Sequence, residues 1–134
     1  MRPLLLGLLF AASGAALACG YCVEDKIAAV YDHAVLTRAV AQKHHVVFLH
    51  VEGAAPGRKA LEDAVYSAPG VDRGTTRVSS DLLTVSFAFD PARANLGAIH
   101  TRIEKKLKPA GVSLMPFQVM ERPGDLKTVP TSPR

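Results

Sequence analysis

Residues 44–52 read His44-His45-Val46-Val47-Phe48-Leu49-His50-Val51-Glu52, and the fold prediction starts from this segment. Its β-branched and aromatic content predicts a β-strand. Side chains alternate between the two faces of a strand, which places Val47 and Leu49 on one face. Val46 and Phe48 then lie on the opposite face. Because both faces are apolar, we expect other elements to cover this strand on both sides.

The chain after this strand alternates between helical and extended patterns. The expected elements are a short helix ended by Pro69-Gly70, a weak strand at 71–79, a cleanly alternating strand at 82–89, a helix that Asn95 caps and Pro109 to Gly111 end, and a last strand at 112–120. Pro116 predicts that the last strand lies at a sheet edge or carries a bulge. The order β-α-β-β-α-β predicts an α+β fold, a ferredoxin-like sandwich over 44–120 with both helices on one face.

The residues before the strand predict one further helix, at about 22–43, within an N-terminal segment 19–43. Glu24 and Asp25 lie in its first turn and basic residues lie near its end, which suits the helix dipole. Apolar residues occupy most of its circumference, a pattern typical of a helix that is covered on more than one side. We expect this helix to pack on the open face of the sheet. Its remaining apolar surface could dock a protein partner or a second copy.

Residues 1–18 have the three-part pattern of a secretory signal peptide. Arg2 is a positive n-region, residues 4–12 are an apolar run too short to span a membrane, and Ala16-Leu17-Ala18 is a cleavage site. The sequence therefore predicts a periplasmic or secreted protein that begins at Cys19. An N-terminal anchor and lipidation of Cys19 are alternatives, although the order Ala16-Leu17 departs from a lipoprotein box. No later run reaches membrane-spanning length.

The charge pattern argues against nucleic-acid binding. The whole chain has 16 basic and 12 acidic residues, and loss of Arg2 with the leader leaves 15 basic residues and a net charge of +3. These charges are scattered, without the concentrated patch or interleaved aromatics of a nucleic-acid site. Residues 121–134 contain three prolines and little apolar content, so we expect a disordered tail there.

From about Val47 to Val119 the sequence resembles the heavy-metal-associated domain of copper chaperones and metal-transport ATPases. The matching segments are Val51-Glu52-Gly53, Leu61-Glu62-Asp63-Ala64, Pro69-Gly70-Val71 and Val85-Ser86-Phe87-Ala88-Phe89-Asp90-Pro91. The resemblance implies the ferredoxin-like fold and a metal-binding role. However, the family's two loop cysteines are replaced here by Pro56 and Lys59, which cannot ligate a soft metal. No metal ligand is therefore transferred from the family.

The chain's two cysteines, Cys19 and Cys22, are the candidate metal ligands. Two thiolates separated by two residues can converge on Cu(I), or supply half of a tetrahedral Zn(II) site. An unbroken helix antiparallel to the first strand would place the pair near the 53–59 loop, since the two lengths nearly cancel. This geometry predicts that Cys19 and Cys22 replace the lost loop ligands. His50 is expected to be a partly buried sheet histidine, and His33, His44, His45 and His100 to be surface residues.

Three other interpretations of the cysteine pair remain open. Cys19-Gly20-Tyr21-Cys22 resembles the redox motif of thioredoxin-superfamily disulfide isomerases, but the strand that precedes the motif in that family is missing. A structural disulfide is the second possibility, because export leads to an oxidising compartment. A non-catalytic interaction module is the third. We rank metal binding first and expect no enzymatic activity.

Overall fold

The computed structural model describes residues 22–130. Within this part the elements are α1 (Val23–Ala28), α2 (His33–Ala41), β1 (His45–Gly53), α3 (Arg58–Tyr66), β2 (Arg77–Val78), β3 (Thr84–Phe89), α4 (Leu96–Leu107), a 3-10 turn (Lys108–Ala110), β4 (Val112–Arg122) and β5 (Asp125–Thr128). The predicted leader at 1–18 and Cys19 lie outside the described residues. None of the helices in the described part is both long and apolar enough to cross a membrane.

The strands form one antiparallel sheet in the order β2-β3-β1-β4-β5. The predicted α+β class is therefore confirmed. β1 lies in the middle, as its two apolar faces indicate, and it pairs with β3 and β4. On one face, α3 and α4 enclose the main core, whose largest fully buried side chains include Phe87, Leu49, Leu61, Ile99 and Ile103. Asn95 caps α4 as predicted, because its Oδ1 accepts from the backbone N of Ala98 at 2.8 Å.

The segment predicted as one helix over 22–43 is two short helices, so that prediction is wrong. The interruption lies at 29–32, where Asp32 leaves helical geometry and becomes the N-cap of α2. Its Oδ1 accepts from the backbone N of Val35 at 3.0 Å, and its Oδ2 accepts from Arg77 Nε at 2.8 Å. The Asp32 carboxylate thus starts a new helix and fastens the start of that helix to β2.

A second apolar cluster covers the face of the sheet opposite α3 and α4. It contains Ile27, Val30, Val35, Leu36 and Ala39 from the N-terminal helices and Val46, Phe48, Ala88 and Met120 from the sheet. Ser86 Oγ donates to the backbone O of Val30 at 3.0 Å in the same layer. The apolar side of α2 therefore packs against the chain's own sheet.

The strand β4 carries the irregularity that Pro116 predicts. The register with β1 shifts between Phe48, which pairs with Gln118, and Leu49, which pairs with Pro116. Phe117 is therefore an extra residue, and the bulge prediction is confirmed. The pairing of β4 with β5 runs from Gln118 to Arg122, so residues 112–116 form an open edge.

Side chains of α4 cover that open edge. The backbone N–H and C=O of Leu114 point away from β1, toward α4. There Glu104 Oε1 accepts a hydrogen bond from Leu114 N at 2.6 Å. The Nε2 of His100 donates to the backbone O of Leu114, also at 2.6 Å. Pro116, two residues on, has no N–H to leave unpaired. The edge is thus satisfied by two side chains one helical turn apart.

Two further predictions need correction. β5 occupies 125–128 and pairs with β4 through a turn at Pro123-Gly124, so the expected disordered tail is wrong for this segment. Residues 131–134 lie outside the described part. The strand expected at 71–79 shrinks to Arg77–Val78 plus a single bridge at Val71, because turns occupy most of the segment between them.

Candidate functional site

Cys22 is exposed and immediately precedes α1, at whose N-cap it lies. Its predicted partner Cys19 lies outside the described residues, so the distance between the two thiols is not defined. Among residues 22–130, no group of three or more histidine, cysteine, aspartate or glutamate side chains is arranged to hold a metal ion. Cys22 is therefore placed at the surface, where an ion or another thiol can reach it.

The structure does not place the start of α1 beside the 53–59 loop in the way an unbroken helix would. Lys26 Nζ lies 5.8 Å from the centre of the Phe117 ring, so the side chain of Lys26, in the last turn of α1, reaches β4 near the level of Phe48. Gly53 is five residues further along β1, about 16 Å away at the usual rise of a strand. The expected proximity relied on a continuous helix, and the interruption at 29–32 removes that premise.

The 53–59 loop itself is held by structural contacts. Gly53 has φ +91°, and a Cβ built on it would lie 2.2 Å from the backbone O of Gly111. Pro56 is buried. Arg58 donates to the backbone O of Val78 at 2.8 Å, and this bond joins α3 to the end of β2. The approach to Gly111 at one end and the Arg58–Val78 bond at the other thus hold the loop in place.

His50 lies on β1 and is partly buried, in agreement with its prediction. Its register partners are Thr84 on β3 and Met115 on β4. The Nδ1 atom of His50 and the Oγ1 atom of Thr84 are both buried and have no hydrogen-bond partner. Two neighbouring orphan polar atoms are unusual in a folded protein, and sequence analysis could not have found them because they depend on strand pairing.

His44, His45 and His100 are partly buried and are not the exposed surface residues that the sequence predicts. The side chain of His44 is 19% exposed; its Nδ1 lies 2.6 Å from Asp72 Oδ2, and its Nε2 lies 3.7 Å from Asp90 Oδ2. This cluster of one histidine and two carboxylates was missed because its members are far apart in the chain. The cluster connects the turn between α2 and β1 with Asp72, after α3, and with Asp90, at the end of β3. His100 donates a hydrogen bond to the backbone O of Leu114 at the edge of β4, whereas His33 is exposed as predicted.

Two carboxylates have perturbed acidity. The backbone N–H of Val35 and the Arg77 guanidinium lower the pKa of Asp32 because they stabilise its charged form. The Lys127 ammonium donates to Glu121 and lowers the pKa of that carboxyl. Both groups serve as structural anions, one at a helix start and one across the β4–β5 pair.

In comparisons with known proteins, no family model matches the chain, and no curated protein or solved structure matches it either. A functional proposal therefore depends on the residues of the chain itself.

Proposed function

We propose that this is an exported protein that binds a soft metal ion, Cu(I) or Zn(II), through Cys19 and Cys22. The observation that carries the proposal is the exposure of Cys22 immediately before α1. The side chain of Cys22 is exposed there, and the chain's other cysteine precedes it by three positions. A two-residue spacer allows both sulfurs to reach one ion, and the α-amino group of a chain beginning at Cys19 adds a further donor.

The strand order agrees with the finer fold that the sequence suggests. From β1 to β4 the elements follow the order β-α-β-β-α-β, and the sheet order β2-β3-β1-β4 is that of a ferredoxin-like sandwich. In this proposal, α1 and α2 are an added layer on the face that such a sandwich normally leaves open. The added layer begins next to Cys22, while the loop that matches the family's metal loop serves a structural role.

The partner proposal is weakened by one observation. Val35, Leu36 and Ala39, the apolar residues that suggested a docking helix, are buried against the chain's own sheet. Thiol exchange and a structural disulfide rest on the same two cysteines and are decided by the experiment below.

The test begins with the intact mass of the exported protein, before and after reduction. That mass reports the cleavage site, lipidation and a disulfide together. The reduced protein is then titrated anaerobically with Cu(I) against a competing chelator, and with Zn(II). We expect the tightest equivalent, with the thiolate-to-copper absorption band, to disappear in Cys19→Ser/Cys22→Ser. Urea unfolding of the variant serves as the control for folding.

Retention of the same tight equivalent in the double variant would contradict the proposal. A pair that stays oxidised in the exported protein and binds no metal after reduction would instead identify a structural disulfide. Turnover of insulin or a scrambled substrate would identify thiol exchange.

A further inference from the structure

An open cleft lies between the end of α3 and one side of α4. Its volume is about 820 Å³, within the range of small-molecule binding sites. The α4 side of the cleft is lined by Ala98, Thr101, Arg102 and Lys105. Residues three, four and seven positions apart share one face of a helix, so these residues form a single wall. Ala98 and Thr101 are small, which leaves space where longer side chains would fill the contact between the helices.

The opposite wall of the cleft is mostly apolar and is held in place. Tyr66, Ala68 and Pro69 line it at the end of α3. The backbone N atoms of Gly74 and Thr76 donate to the Tyr66 hydroxyl at 3.1 and 3.3 Å, and these two bonds fix the position of the ring. A preformed wall of this kind lowers the ordering cost of binding a ligand.

The charged side chains that line the cleft are both positive. Arg102 and Lys105 are exposed, and no acidic residue lines the cleft with them. Within residues 22–130, no carboxylate lies within ion-pair distance of either cation. By contrast, Arg77 pairs with Asp32 at 2.8 Å. An anionic group in the cleft therefore meets two cations that no carboxylate of this part of the chain neutralises.

The combination of an apolar wall and a cationic wall specifies the chemistry of the ligand. We propose that the α3–α4 cleft binds a small amphipathic carboxylate, an organic acid with an apolar body. The apolar body packs against Tyr66 and Ala68, and the carboxylate faces Arg102 and Lys105. A guanidinium can hold a carboxylate through two parallel hydrogen bonds, and the ammonium group adds a second positive charge.

A small ligand fits the cleft better than a protein partner does. The exposed large apolar side chains of the described residues are Val23, Tyr31, Leu83 and Leu126, and none of them lines the cleft. A standard protein interface buries about 800 Å² on each partner and relies on aromatic or aliphatic anchors. The only large apolar surface in the cleft is the half-buried ring of Tyr66.

The cleft is separate from the proposed metal site. α3 and α4 cover one face of the sheet, whereas Ile27 of α1, the helix that Cys22 precedes, packs on the other face. A ligand in the cleft does not need the cysteines. The inference therefore goes beyond the proposed metal-binding function and does not depend on it.

The test uses the exported chain with decanoate as the probe and decanol as its uncharged counterpart. Decanoate is added below its micelle-forming concentration and followed by ¹H–¹⁵N NMR. We expect saturable shifts at residues 66–69 and 97–105. Decanol should bind more weakly by about tenfold or more, because it cannot make charge-assisted hydrogen bonds to the two cations.

Matched variants separate the cleft from the general charge of the protein. Arg102→Gln/Lys105→Gln should weaken decanoate binding by more than about tenfold. The control Arg93→Gln/Lys106→Gln removes the same charge from exposed positions that do not line the cleft, and it should bind as the wild type does. Ala98→Phe places a ring in the cleft from an exposed position on α4 and should abolish saturable binding. The urea midpoint of each variant reports its folding.

Three results would overturn this inference: no saturable binding of decanoate, equal affinities for decanoate and decanol, or equal affinities of the Arg102/Lys105 variant and its control. An acidic, leucine-rich peptide is titrated in parallel. Binding of this peptide without binding of decanoate would also overturn the inference and would assign the cleft to a protein partner. None of these results affects the cysteine proposal, which is measured by the tight thiolate equivalent of metal.

Discussion

Removal of the Asp32 carboxylate should loosen the N-terminal helices from the sheet. Asp32→Ala abolishes the cap on Val35 N, which is worth about 1 kcal/mol, within a range of about 0.5–2. It also abolishes the Arg77 ion pair, worth at most about 1 kcal/mol because both side chains are partly exposed. In the variant, Arg77 keeps its hydrogen bonds to the backbone O of Gly74 and of Thr76, so no additional cost arises from an unpaired guanidinium. We expect a total loss of about 1–2 kcal/mol.

Asp32→Asn divides this loss into its two parts. The amide oxygen can still cap α2, since asparagine is as good an N-cap as aspartate, but the ionic attraction to Arg77 is gone. We expect Asp32→Asn to lose about 0.5 kcal/mol at pH 7. Urea unfolding followed by circular dichroism measures both variants against the wild type. Equal losses in the Asn and Ala variants, or no loss in Ala, would refute the capping account.

The pH dependence supplies an independent check. The folded state lowers the pKa of Asp32 below 3.8, the ordinary value of an aspartate in an unfolded chain. The stability contributed by the charged group is therefore complete above pH 3.8 and is lost as pH falls through the lower folded value. The wild type should lose its advantage over Asp32→Asn in this acid range. An advantage that persists unchanged to the lowest accessible pH would contradict the linkage.

Three further substitutions and one matched control probe the rest of the domain by urea unfolding. Gly53→Ala forces a Cβ to within 2.2 Å of a backbone oxygen at positive φ and should lower the free energy of unfolding by more than about 2 kcal/mol. The matched control Gly57→Ala has open space around it and should change that free energy by no more than about 0.5 kcal/mol. Glu104→Ala leaves the N–H of Leu114 without its acceptor; we expect a loss of about 1–3 kcal/mol, and concentration-dependent association in size-exclusion chromatography. Leu61→Ala removes a fully buried side chain and should cost about 2–5 kcal/mol; a loss below 1 would place Leu61 outside the core.

Sequence patterns predicted the elements whose signals are local. The alternation of residues 45–51 gave β1 its central position, and Asn95 marked the start of α4. Pro116 correctly predicted the bulge. In each case the signal comes from the residues of the segment itself: the alternation of a strand, the side chain of an N-cap or the missing N–H of a proline. No contact with a distant part of the chain is needed to interpret it.

The errors arose where a local signal competed with a longer pattern. The helical spacing of apolar residues continues through residues 29–32, yet Asp32 is a strong N-cap. Arg77, 45 positions later, stabilises the interrupted helix because it donates a hydrogen bond to the Asp32 carboxylate. Pro123-Gly124 was a turn signal, but β5 forms only because β4 offers it an edge. The His50–Thr84 pair of orphan atoms likewise depends on register, which composition does not determine.

The position of β1 has a consequence for how the molecule opens. β1 is hydrogen-bonded on both sides and buried on both faces, so its amides should exchange with solvent only on global unfolding. By contrast, α1 has six residues, of which only Ile27 is buried. Its amides should exchange through a local fluctuation of much lower free energy. The segment that bears Cys22 can therefore detach and re-form while the sheet stays intact, so an ion or a partner can be exchanged there without unfolding of the core.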